Sequence, residues 1–330
     1  MGLDLLYAGL GLVILLLAGD SLVKGAVNLS LRVGIPALIV SLTIVAFGTS
    51  APELLIAIKA ALDNAPGIAL GNVVGSNTAN VLLVLGVPAL LTTLHTSECD
   101  TRRTFVFMLL ASVLFIALCF MGPFIWVHGL ILLAGLSLVL GDAFLAARSH
   151  RAEVKNGAVE QIEEDTAEEA EEIEEIEGAD PSLPWWKILI FLGLGLVGLP
   201  LGASLLVDSS INIARTIGVS ETVIGLTLVA VGTSLPELAT TVMAALRRQA
   251  DVALGNVIGS NIFNLLAIIG VASFVAPIPV PQEMLDFDLW IMLAASLLLT
   301  PFVFLHWPIN RLWGIVFTTL YAVYIASVLI

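Results

Sequence analysis

The chain has 330 residues, a hydrophobic fraction of 58%, only 12% charged residues and a mean hydropathy of +1.04. A soluble domain could not keep so apolar a surface in water, which excludes soluble enzymes and nucleic-acid binders and leaves an all-α polytopic membrane protein. The net charge of −14 is concentrated: residues 148–180 hold thirteen acidic side chains against three basic ones, and the remainder is close to neutral.

At about 20 residues per spanning helix, ten helices are predicted, over 3–22, 35–60, 66–92, 104–121, 124–147, 185–207, 219–246, 251–276, 288–305 and 310–329. The first has no basic leader before it and no small-residue cleavage site, so it reads as a retained span. Residues 1–147 form one five-helix unit, 148–184 an acidic cytoplasmic linker and 185–330 a second five-helix unit. The linker has no calcium-loop spacing and reads as a solvated connector, with an amphipathic turn or two around Ile162, Ile173 and Ile176, rather than a cation sensor. Cys99 falls in a loop and Cys119 in a span, a placement that suggests neither a disulfide nor a metal site.

Basic residues orient the chain. With both termini outside, the inner segments hold eleven of them, Arg102, Arg103, Arg247 and Arg248 included, and the outer ones only Lys59 and Arg215. The second helix then runs outward and the seventh inward, so the two halves form an inverted repeat. Without a targeting segment, a multi-pass protein of the plasma (inner) membrane is expected.

The repeat is visible in the residues. Gly48-Thr49-Ser50-Ala51-Pro52-Glu53 returns as Gly232-Thr233-Ser234-Leu235-Pro236-Glu237, and Gly71-Asn72-Val73-Val74-Gly75-Ser76-Asn77 with Asn80 returns as Gly255-Asn256-Val257-Ile258-Gly259-Ser260-Asn261 with Asn264. An offset of 184 residues superposes 34–86 on 218–270 without a gap, with 25 identities in 53 positions. Carboxylates, helix breakers and hydroxyls repeated inside spanning sequence are expensive and point to an ion pathway.

Pro52 and Pro236 each remove a backbone donor and are expected to free carbonyls near Ala46–Gly48 and Ala230–Gly232, with glycine letting the chain unwind there. The carbonyls, the hydroxyls of Thr49, Ser50, Thr233 and Ser234, and the carboxylates of Glu53 and Glu237 are hard oxygen ligands that suit calcium and sodium. No His or Cys lies nearby to favour zinc, copper or iron. Asn80 and Asn264 lie four residues beyond Ser76 and Ser260, on the same helical face, and offer amide oxygens. Gly71, Gly75, Gly255 and Gly259 read as packing residues. Asn72, Asn77, Asn256 and Asn261 either ligate or bond across to the broken backbone, the second being the favoured reading. Asp20, Lys24, Asp142 and Asp208 sit near predicted helix ends, where interfacial charge is the simpler account. A lone glutamate in a span could be a protonated packing residue; two in matching contexts make sense when cations neutralise them.

These paired motifs resemble the two repeats of the cation/calcium exchanger superfamily, its sodium/calcium exchanger branch with the small prokaryotic members. The resemblance implies ten helices, exchange of Ca2+ for Na+ by alternating access, a site between the second, third, seventh and eighth helices, no cofactor and no obligatory protein partner. Carried over by motif, the ligands are Ala46, Thr49, Ser50, Glu53, Ser76 and Asn80 with Ala230, Thr233, Ser234, Glu237, Ser260 and Asn264, the alanines through their carbonyls. Several members carry aspartate where this chain has Asn264, so the site here holds two carboxylates and potassium dependence is open. Exchange of three sodium ions per calcium would move one net charge inward, worth about 2.3 kcal/mol per 100 mV. A proton/calcium exchanger is the nearest alternative, followed by a calcium channel or a non-transporting membrane protein. An enzyme is not expected, since no nucleophile–base pair or metalloprotease motif lies in the spans.

Overall fold

In the computed structural model the described residues are 2–62, 66–96, 101–160, 180, 182–216 and 230–329. Regular structure among them is helical apart from two isolated bridges. We label the helices α1 Gly2–Val33, α2 Ala37–Thr49, α3 Ala51–Leu62, α4 Gly67–Leu91, α5 Arg102–Phe120 and α6 Trp126–Glu160. The second half holds α7 Trp185–Thr216, α8 Ala230–Thr233, α9 Leu235–Leu246, α10 Ala250–Val275, α11 Met284–Phe304 and α12 Arg311–Leu329. Eight of these are long and apolar enough to cross a membrane, and α2 with α3, bent by 43°, makes a ninth by length and composition. The predicted seventh span is represented by α8 and α9, and its first part, 219–229, lies outside the described residues, as do Cys99 and 161–179 of the linker.

α1 and α7 extend well past the predicted ends, to 32 residues each. At 1.5 Å per residue that is roughly 48 Å, more than the bilayer core, so they must tilt or project. Hydropathy understates them because their later turns are polar, yet those turns pack on protein: Asn28 and Ser30 are buried. The two helices lie against each other through small residues. A Cβ on Gly11 would meet the Gly202 carbonyl oxygen at 2.9 Å, and one on Gly202 would meet the Gly11 carbonyl oxygen at 3.0 Å. Only glycine permits that backbone approach, the usual glue where lipid offers helices no hydrophobic incentive to associate.

α4 and α10 form the centre. In their apolar windows 78% and 83% of residues are buried, against 17% in α6 and 22% in α1. The two halves interlock around them. The end of α4 packs on α12 and the end of α10 on α6, so each half's third long helix is held by the other half's last. The backbone repeats the exchange: Leu94 and Ile309 donate to each other's carbonyls at 3.0 Å, and Phe124 and Ile278 do so at 2.9 Å.

The four interfacial charges find different partners. Asp20 on α1 pairs with Arg247 at the end of α9 and with Lys24 at 3.1 Å, Asp142 pairs with Arg103, and Asp208 accepts from Ser204 Oγ at 3.2 Å. α6 runs to Glu160, past the boundary at 147 expected for the linker, because the chain from Ala143 to Lys155 is rich in helix formers and no proline follows before Glu160. Asp180 at the linker's far end is tied back, its N–H donating to Asn28 Oδ1 at 2.9 Å.

Candidate cation site

The break in each motif is one residue wide. Ser50 has φ −85° and ψ 3°, and Ser234 has φ −88° and ψ 5°, outside the helical region in the same way. The expected unwound stretch is absent in the first copy: Ala46–Thr49 completes a helical turn, and Ser50 N–H still donates to the Ala46 carbonyl at 3.0 Å. The reason is that a proline removes a single donor, and the 43° bend absorbs the rest. Thr49 Oγ1 also donates to the Ala46 carbonyl, at 3.3 Å. A carbonyl has two lone pairs, so the Ala46 oxygen is bonded rather than freed by unwinding, and it keeps one lone pair for a cation whenever the Thr49 proton turns elsewhere. Ala230 opens α8 at the matching place.

Glu53 and Glu237 open the helices after the breaks, and each is 1% exposed. Glu237 Oε1 accepts from Ser50 Oγ at 3.3 Å, which joins the two motifs. Among the described residues the other three carboxylate oxygens, both of Glu53 and Oε2 of Glu237, are buried without a hydrogen-bond partner, and so are Ser234 Oγ, Asn80 Oδ1 and both polar atoms of the Asn264 side chain. Among the described residues no ion pair involves either glutamate, in contrast to Asp20 and Asp142.

The halves contribute crosswise. Thr49 Oγ1 lies 3.3 Å from Asn256 Oδ1, a second acceptor for its one proton, and 3.5 Å from Ser260 Oγ. Thr233 Oγ1 donates to Asn72 Oδ1 at 3.3 Å. Ser76 and Thr233 share the wall of one cavity. α3, which carries Glu53, packs on Phe263–Ile268 with Asn264, and α9, which carries Glu237, packs on Asn80–Val84. Both of those segments are π-helical, as is Ser41–Val45 before Ala46. A π turn widens the helix and is common where side chains must be aimed at a site. Nothing in the residue pattern announced them.

The other asparagines are largely structural. Asn256 Nδ2 donates to Thr241 Oγ1 at 3.0 Å and to the Glu237 carbonyl at 3.3 Å, which fixes the turn that bears the glutamate. Asn261 Oδ1 accepts from Asn80 Nδ2 at 3.1 Å, an arrangement that leaves Asn80 Oδ1 free of a partner. Asn77 Nδ2 donates to the Val73 carbonyl at 2.7 Å.

The family described as Sodium/calcium exchanger protein matches residues 3–141 and 187–330, both halves with the acidic linker left out. The chain belongs to that family. Among its relatives, the sodium/calcium exchanger MaX1 of Methanosarcina acetivorans is 36% identical over 96% of this chain and 95% of its own, and the putative antiporter CaxA of Alkalimonas amylolytica is 34% identical over 89% and 88%. The solved sodium–calcium exchanger NCX_Mj, soaked with zero Na+ and Ca2+, superposes with a TM-score of 0.79 at 32% identity, covering 99% of each chain. Membership of the exchanger family makes this chain a multi-pass ion exchanger; its relatives are transporters, not enzymes.

Proposed function

We propose that the protein is a sodium/calcium antiporter that expels Ca2+ against entering Na+ by alternating access at one central site of two glutamates. The observation that carries this reading is the burial of Glu53 and Glu237 with three of four carboxylate oxygens unpartnered and no basic residue paired to either among the described residues. An ionised carboxylate in such a place is costly unless a cation balances it, and two of them balance one calcium. Around them stand Thr49, Ser50, Ser76, Asn80, Thr233, Ser234, Ser260 and Asn264 with the Ala46 and Ala230 carbonyls, oxygen donors of the kind calcium and sodium take.

The architecture proposed is ten spans in two inverted five-helix repeats, with α2 and α3 as one span and α8 with α9 as the described part of the seventh. The crosswise packing and the matched Ser50 and Ser234 breaks support it. By the charge rule Arg247 and Arg248 face the cytoplasm and both termini lie outside, in a plasma membrane. MaX1 and NCX_Mj, named as sodium/calcium exchangers, favour sodium as the coupling ion.

Purified protein in proteoliposomes tests this directly. Calcium uptake should follow an imposed sodium gradient and be indifferent to a proton gradient of equal size. Uptake driven by protons alone would move the coupling to the alternative exchanger, and uptake without any countergradient would make the protein a channel.

A further inference from the structure

At one buried position beside the site the two copies of the repeat differ in chemistry. Thr241 lies four residues beyond Glu237 on α9, and the 184-residue offset sets it against Ala57, four residues beyond Glu53 on α3. Both are 0% exposed, so neither side chain meets lipid or water. A hydroxyl stands in one half where the other has none.

Thr241 Oγ1 accepts from Asn256 Nδ2 at 3.0 Å, and the second proton of that amide goes to the Glu237 carbonyl at 3.3 Å. A carbonyl can only accept, so the nitrogen is the atom that faces α9 and the oxygen is left for the other side. There Asn256 Oδ1 lies 3.3 Å from Thr49 Oγ1. The Thr49 hydroxyl has one proton and a choice of acceptors: Asn256 Oδ1, the Ala46 carbonyl at 3.3 Å and Ser260 Oγ at 3.5 Å. Given to Ala46, whose carbonyl already accepts from Ser50 N–H at 3.0 Å, the proton fills the last lone pair there. Given to Asn256, it leaves that lone pair and those of the Thr49 hydroxyl available to a cation. In the first half Asn72 Oδ1 accepts from Thr233 Oγ1 at 3.3 Å, but its Nδ2 is buried without a hydrogen-bond partner among the described residues. The residues that match Thr241, Glu237 and Thr49 around it are Ala57, Glu53 and Thr233, all of them described.

We propose that Thr241 is a positioning residue of the cation site: it holds the Asn256 amide with its oxygen toward Thr49, so that Asn256 draws the Thr49 proton off the Ala46 carbonyl and leaves both oxygens for the cation. Thr49 and Ala46 are thereby prepared for an ion more firmly than Thr233 and Ala230. The effect on the cation rests on the exchanger reading; the clamp on the amide does not.

Both are measured on the purified full-length protein with the isosteric Thr241→Val and the conservative Thr241→Ser. Side-chain amide exchange, read by NMR on protein carrying isotope-labelled asparagine, reports the clamp, and equilibrium binding of radioactive calcium reports the site. Thr241→Val should speed exchange at the Asn256 amide at least about tenfold and weaken calcium binding about tenfold, the range of one buried hydrogen bond. Thr241→Ser should keep both within about twofold of wild type. In Thr49→Ala, where there is no proton to place, the same Thr241→Val change should alter calcium binding by less than about twofold. That loss of effect separates positioning from a general loosening of α9, which would weaken binding in either background. Ala57→Ser offers Asn72 the missing acceptor and should slow its amide exchange, a test that holds even where Thr241→Val fails to fold. Calcium binding unchanged in Thr241→Val, a serine variant as weak as the valine, an undiminished effect in the Thr49→Ala background, or Asn72 exchange unchanged in Ala57→Ser overturns the inference. A wild-type protein that binds no calcium counts against the antiporter instead; faster Asn256 exchange in Thr241→Val would then uphold the clamp, and unchanged exchange would end it.

Discussion

Gly255 and Gly259 on α10 and Gly71 and Gly75 on α4 occupy the same motif in the two halves, and the described residues show the seam on the α10 side. A Cβ on Gly259 would meet Ala46 Cβ and the Leu42 carbonyl oxygen at 2.6 Å, and one on Gly255 would meet the Leu38 carbonyl oxygen and Ser41 Cβ at 2.9 Å. Ser41 Oγ also donates to the Val252 carbonyl at 2.6 Å, which ties α2 to α10. By the 184-residue offset the neighbours of Gly71 and Gly75 are residues 222, 225, 226 and 230, of which only 230 is among the described residues. The doubled motif therefore predicts the same close seam twice, the paired glycines of each half admitting the other half's broken span.

The glutamates bound that comparison, because they are the elements the two halves share equally. Glu53→Gln and Glu237→Gln should each abolish calcium exchange while the protein still inserts and folds. Removing one charge from a buried charged set costs about 3–5 kcal/mol, roughly a hundredfold or more in apparent affinity. Wild-type calcium flux in either variant would take that glutamate out of the site and leave the two halves unequal.

Thiol labelling probes the seams directly. Gly71→Cys and Gly255→Cys should react with a membrane-impermeant reagent at rates within about tenfold of each other if both seams are packed, since a packed seam must open before reagent enters. A Gly71→Cys protein that reacts much faster would mean that the two seams differ.

Stability gives a smaller version of the same test. Gly259→Ala forces α10 off α2 and should destabilise by about 1–3 kcal/mol, the usual result of overpacking. Gly75→Ala should cost about as much if the seam repeats, and the gain of up to about 1 kcal/mol from replacing a poor helix former would show only where nothing packs on it. Thermal unfolding of the two variants in one detergent measures the difference.

Much of this was legible in the residues, for identifiable reasons. Apolar runs mark spanning helices because the bilayer leaves few alternatives, and the doubled motif placed two carboxylates and their hydroxyl neighbours by repetition. Where the reading fell short, the cause is tertiary. The extra turns of α1 look too polar to be buried until Asn28 and Ser30 are seen against their partners. The π turns at Asn80 and Phe263 have no composition of their own. The proline argument predicted an unwound segment, and the structure gives a single non-helical serine, because the turn before it keeps its bonds.

The acidic linker belongs to neither half, and the least effect is expected there. The family match skips it, running from residue 141 to 187, and its charge has no place in the site described above. Its far end is not idle: Asp180 Oδ1 accepts from Ser182 N–H at 2.9 Å and Ser182 Oγ at 2.6 Å, and Asp180 N–H holds Asn28 of α1. Those bonds favour the ionised carboxylate and hold its pKa below the ordinary value of 3.8. With the folded-state value depressed, the turn's contribution is complete above the ordinary carboxylate range and is lost only as pH falls through the lowered value. Deleting residues 162–176 keeps Asp180 and its turn and should change calcium exchange by less than about twofold, as expected of a solvated connector. Asp180→Ala in the full chain should leave exchange equally unaffected while hydrogen exchange at the Ser182 amide accelerates at neutral pH, because its acceptor is gone. A deletion that inserts normally yet loses transport would give the linker a regulatory role, and an unchanged Ser182 amide in Asp180→Ala would mean that the Asp180 carboxylate does not hold the turn.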